Sequence, residues 1–162
     1  RALAWCCDSI NSDGPVSPDL FQSAHPKAYE ALLLVLDKFA SPLNDAEPLL
    51  PPEDNQKVLV AVVQVLGNLP ALTDTSTPHL IELLQKQPAA LSVIQSTIMA
   101  LASLAHAQSF EALLSLLHHQ EEAIPIYTIA ALKRLDPDHS LRRVRQYLNQ
   151  FPDLEASILE LW

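Results

Sequence analysis

The chain repeats itself, and that repeat limits its fold more than any other feature. Val65-Leu66-Gly67-Asn68-Leu69 returns 35 residues later as Ala100-Leu101-Ala102-Ser103-Leu104, and 31 residues after that as Ala131-Leu132-Lys133-Arg134-Leu135. A second motif alternates with the first. Leu83-Leu84-Gln85-Lys86-Gln87 recurs after 33 residues as Leu116-Leu117-His118-His119-Gln120, and a further 31 residues on as Tyr147-Leu148-Asn149-Gln150. Two motifs sharing one period describe a supersecondary unit that cannot bury its apolar face alone and must stack on its neighbours.

The unit is helical. In residues 26–39 the apolar side chains Tyr29, Leu32, Leu33, Leu36 and Phe39 recur at steps of three and four, which places them on one face of a helix. Residues 53–69 are aliphatic almost all round. Their valines would suit a strand, but a run that long favours a buried helix. Pro52 with Glu53 and Asp54 at its start, and Gly67 near its end, agree with helix polarity. Further helices are expected at 77–87, opened by Thr77-Pro78, and at 88–105, opened by Pro88. The remaining four are expected at 108–119, 121–135, up to about 151 after the Asp136-Pro137 cap, and 152–162, opened by Pro152. Short connections force successive helices to pack antiparallel. Only two glycines occur, Gly14 and Gly67, too few for a turn-rich sheet or a phosphate-cradling loop.

The ends of the second helix of each pair, Val62-Val63-Gln64-Val65-Leu66-Gly67-Asn68-Leu69 and Thr128-Ile129-Ala130-Ala131-Leu132-Lys133-Arg134-Leu135-Asp136-Pro137, resemble HEAT repeats. They are similar to the short variety of phycobilisome-lyase-like proteins. The resemblance covers residues 53–162 well and 1–40 loosely, and the Val-Arg pair usual near the start of such B-helices is missing. It implies an all-α, right-handed solenoid of antiparallel helix pairs, in which B-helices line the inner surface. Residues 1–162 then read as one such domain, with insert loops at 11–24 and 41–52 rich in Pro, Ser, Asp and Asn. Residues 1–10 would be a B-helix without its A-helix, leaving an edge that could self-associate. The chain opens at Arg1 inside an apolar stretch, so it is expected to be part of a longer protein.

The composition excludes several functions. The formal net charge is −9, which disfavours nucleic acid and anionic membrane surfaces. No apolar run approaches the ~20 residues that span a bilayer, so membrane insertion is not expected. Cys6 and Cys7 are adjacent and are the only cysteines, which rules out a disulfide framework and suits a cytoplasmic setting. They read as buried small hydrophobes rather than metal ligands. His118 and His119 are the only clustered histidines, and at a helix C-terminus they read as solvated groups complementing the dipole. No serine stands in a glycine-flanked nucleophile turn. Neither metal, cofactor nor catalysis is expected.

What remains is binding of another protein or peptide. Positions four, seven and eleven residues apart share a stripe on a helix. From Lys57 this stripe runs through Ala61, Gln64 and Asn68, the polar line of an otherwise aliphatic helix. The next repeat supplies Ser92, Ser96, Met99 and Ser103, and the following one Ala123, Tyr127, Ala130 and Arg134. Extended towards the N-terminus, the stripe reaches Trp5 and Ser9. The expected binding face is therefore Trp5, Lys57, Gln64, Asn68, Ser96, Met99, Ser103, Tyr127 and Arg134, with Met99 and Tyr127 as adaptable anchors.

A second candidate is basic. Arg142, Arg143 and Arg145, with Lys133 and Arg134, are five of the ten cations, gathered within 13 residues. Asp136, Asp138 and Glu155 could neutralise them locally. Otherwise they form a patch for an acidic partner. The family resemblance also implies an alternative, a phycobilin lyase, isomerase or chromophore-handling protein. There Tyr127, Arg134 and Trp5 would lie near a tetrapyrrole.

Overall fold

The computed structural model describes residues 26–40, 52–86 and 90–162. Among them are eight α-helices, two short 3-10 turns and no strand. The helices are α1 (Pro26–Ala40), α2 (Pro52–Gly67), α3 (Thr73–Gln85), α4 (Leu91–Leu104), α5 (Ala107–Leu114), α6 (Ala123–Leu135), α7 (Ser140–Leu148) and α8 (Pro152–Glu160). Trp5, Cys6, Cys7 and the expected N-terminal edge at 1–10 lie outside the described residues, as do the loops 11–24 and 41–51. Pro52 belongs to α2 rather than to a loop.

α4 is the centre. It carries no charged residue, and Val93, Ile94, Thr97, Ile98, Ala100, Leu101, Ala102 and Leu104 are all buried. A helix apolar on most of its circumference is stable only when surrounded. α2 and α6 flank it, and α3 and α5 also pack on it. Among the described residues the α2–α4 interface is the most extensive, followed by α4–α6. The repeated motif ends thus lie on three neighbouring helices, with Leu66, Leu101 and Leu132 fully buried in one continuous core. Each such leucine contributes roughly 1.5–3 kcal/mol.

The helices expected within the described residues are present, with shifted starts at α3, α4, α6 and α7. α3 begins at Thr73, four residues before the expected Thr77-Pro78 cap, so Pro78 lies inside it. The 3-10 turn Pro70–Leu72 feeds the chain directly into α3, and the Thr73 hydroxyl donates to the Pro70 carbonyl at 2.7 Å. Proline inside a helix deprives the carbonyl four residues back of its partner. Here both Pro78 and Asp74 are exposed, so water can take that bond.

α4 begins at Leu91, not at Pro88, and Pro88 lies outside the described residues. It ends at Ala105, whose φ of 52° is the left-handed conformation usually left to glycine. α7 begins at Ser140, after a turn through Pro137. The N-cap of α7 is therefore His139, without a side-chain cap bond, and not Asp136 as expected. Asp136 instead closes the turn before the helix, its carboxylate accepting the His139 N–H at 3.0 Å and its carbonyl the Ser140 N–H at 2.9 Å.

Candidate functional site

The face of α2 and α4 that the polar line occupies is built on one close approach. Gly67 is buried at the end of α2. A Cβ added there would fall 2.7 Å from both Cα and Cβ of Ala100 on α4. The two backbones therefore meet where any larger side chain would hold them apart. Above this contact lies a groove of about 220 Å³, lined by Gln64, Asn68, Gln95, Ser96, Met99 and Ser103 with Gly67 and Ala100 as its floor.

Five of the residues expected from the sequence stripe thus converge in space: Gln64, Asn68, Ser96, Met99 and Ser103. Met99 is 42% exposed although it belongs to the most apolar helix. The others fall differently. Lys57 and Arg134 are exposed outside the groove lining, and Lys57 pairs with Asp54 of its own helix at 2.9 Å. Tyr127 is 39% exposed on α6, next to the even more exposed Ile126. Trp5 lies outside the described residues. The stripe missed Gln95, which is half-buried in the groove wall, and it missed the Gly67–Ala100 floor. The signal for the floor was legible, since Gly67 is one of only two glycines.

No titratable side chain lines this groove. Its amides and hydroxyls can exchange hydrogen bonds with a peptide backbone, and the Met99 thioether adapts to varied apolar shapes. That is recognition chemistry, without an acid, base or nucleophile pair.

No family model, no curated protein and no solved structure matches the chain.

The basic cluster is not one patch. The Arg143 guanidinium stacks 3.5 Å from the centre of the Phe110 ring, and donates to Glu111 at 2.7 Å and to Asp136 at 3.4 Å. It ties α7 to α5. Partial desolvation pushes the Asp136 carboxyl up. The His139 N–H, the Arg143 guanidinium and the His139 ring more than offset this and hold it below the usual carboxylate range. Lys133 donates to the Trp162 carbonyl and sits 4.8 Å from the centre of that residue's ring. Arg142 and Arg145 remain exposed, with no ion pair among the described residues. Neutralisation comes from Glu111 and Asp136 rather than from Asp138 or Glu155, because helix packing brings Glu111 alongside.

His118 also departs from expectation. It is half-buried rather than solvated, with its ring edge-on to Tyr147 at 5.5 Å and to Phe151 at 4.2 Å. Burial in this cluster pushes the Tyr147 hydroxyl up. His119 acts locally, its Nδ1 accepting the Glu121 N–H at 3.1 Å. Among the described residues no group of three or more His, Cys, Asp or Glu could hold a metal ion. No described helix is long and apolar enough to cross a membrane.

Proposed function

We propose that this chain is a cytoplasmic, non-catalytic interaction scaffold. In this reading it is a right-handed HEAT-like solenoid whose B-helices α2, α4 and α6 present their shared inner face to another protein or peptide. One observation carries the reading. The small, neutral positions at matching register on α2 and α4, exposed at Gln64, Asn68 and Ser103 and half-buried at Ser96, converge on a groove with Met99 at its edge. Met99, Ile126 and Tyr127 are exposed on neighbouring helices of an otherwise well-buried core. Exposed methionine and tyrosine beside small polar residues suit close approach by a second chain.

The experiment is capture of a partner, confirmed by direct titration of the purified pair, with Gln64→Arg, Met99→Glu and Tyr127→Ala. Each of these should weaken binding about tenfold or more while leaving the fold intact. If none does, and charge reversal at Arg142 and Arg145 abolishes capture, the basic edge is the site and the groove reading is wrong.

A second reading follows from the family resemblance. Tyr127 and Arg134 share the exposed side of α6, two turns apart, as an aromatic and a cation would to hold an open-chain tetrapyrrole with its propionates. A shifted bilin absorbance spectrum on mixing, lost in Arg134→Ala, would favour it over the scaffold.

A further inference from the structure

A larger cavity, of about 880 Å³, lies away from the groove and shares no residue with it. It opens between the end of α3, the start of α4 and the end of α5. There α5, only 8 residues long, tightens into the 3-10 turn Ser115–His118. Its apolar bed is Ile81, Leu84, Leu91, Ile94 and Leu116, and its polar side is Gln85, His119, Gln120 and Glu121. His118 also lines it and is braced by Tyr147 and Phe151, so the wall stands without a ligand.

We propose that this cavity is a binding site for a small uncharged molecule with an apolar body and one hydrogen-bonding edge. Volume sets the scale, since pockets for such ligands span about 300–1,000 Å³. The polar side sets the chemistry. His119 Nδ1 accepts the Glu121 N–H at 3.1 Å, which leaves Nε2 as the ring nitrogen that can donate. Gln85 and Gln120 each offer both a donor and an acceptor. Charge narrows the class further. Among the described residues Glu121 is the one formal charge in the lining, and neither Lys nor Arg stands there. An anion would find no cationic side chain to pair with among the described residues of the lining. Glu121 is itself exposed, so water screens its attraction for a cation and its repulsion of an anion alike. A neutral ligand that buries its body on the leucine and isoleucine bed fits both conditions.

The test uses Nile red as the uncharged probe and anilinonaphthalene sulfonate as the anionic one, each titrated into the whole chain by fluorescence. Nile red should bind saturably at one site with a blue shift. Ala112→Trp, which fills the cavity from α5, should abolish that signal. Leu91→Glu should weaken binding about tenfold by replacing apolar bed with a second carboxylate. It also places an acid at a helix start, where acids are tolerated, so it keeps the test informative should the tryptophan variant fail to fold. Gln146→Ala, exposed on α7 and outside the cavity lining, should leave Nile red binding unchanged. Absence of saturable Nile red binding, or binding that neither cavity variant reduces, overturns the site. Equal binding of the sulfonate in competition with Nile red overturns the assignment of ligand class.

Discussion

Replacing Gly67 by alanine sets local preference against tertiary packing, and the two predict opposite signs. In a helix, alanine is favoured over glycine by about 0.5–1 kcal/mol because glycine loses more backbone freedom on folding. Here the new methyl would lie 2.7 Å from Ala100 Cα and Cβ, whereas carbon atoms rest about 3.5–4.0 Å apart. One of the two colliding atoms is backbone, so no rotamer change can relieve the overlap. α2 and α4 would have to separate by about 1 Å, a strain in the range of roughly 1–3 kcal/mol. The net expectation is a loss of about 1–2 kcal/mol, or about 2–8 °C in Tm for a domain of this size. Denaturant unfolding followed by far-ultraviolet circular dichroism measures it. Adding Ala100→Gly removes one of the two colliding atoms and should recover part of the loss, with a coupling of about 1 kcal/mol. Stabilisation by Gly67→Ala, or simple additivity in the double variant, would refute the close-contact reasoning. The same separation should splay the groove, so partner capture should fall with stability.

Three further outcomes are expected. Ala105→Gly should raise stability by about 0.5–1 kcal/mol, since φ at this position is 52° and glycine adopts it freely; an unchanged or lower Tm would contradict that. Asp136 has its folded-state pKa depressed, so its contribution is present above the ordinary carboxylate range and lost as pH falls through the folded value. Acid unfolding of Asp136→Asn should therefore be less steep than wild type across the acidic limb, and parallel curves would count against the pairing. Arg143→Ala should cost about 1–2 kcal/mol through lost ring stacking and ion pairs, whereas Arg142→Ala and Arg145→Ala should stay within about 0.5 kcal/mol. Equal losses in all three would show that the Phe110 and Glu111 contacts carry no weight.

The candidate face was partly legible before any coordinates. Counting helical steps from Lys57 and shifting by the repeat found five of the groove residues, because exposure on a packed helix follows period 3.6 and the repeat preserves register. The same counting placed Lys57, Tyr127 and Arg134 on the stripe, and the structure leaves them outside the groove. Periodicity tells which side a residue is on, but not how close the neighbouring helix stands. His118 was misread because its burial depends on Tyr147 and Phe151, some thirty residues away.

The amino-acid sequence alone determined the helical class, the approximate helix spans and the apolar face of each helix. These depend on residues within a turn or two of one another, where backbone hydrogen bonding and amphipathic spacing act. Tertiary structure decided the helix starts at Thr73 and Leu91, the pairing of Arg143 with Glu111 across 32 residues, and the groove floor at Gly67 and Ala100. It also decided the opening between α3, α4 and α5. Each of these depends on the distance between elements, which is set by the summed volumes of side chains from several helices at once and is written in no single stretch of chain.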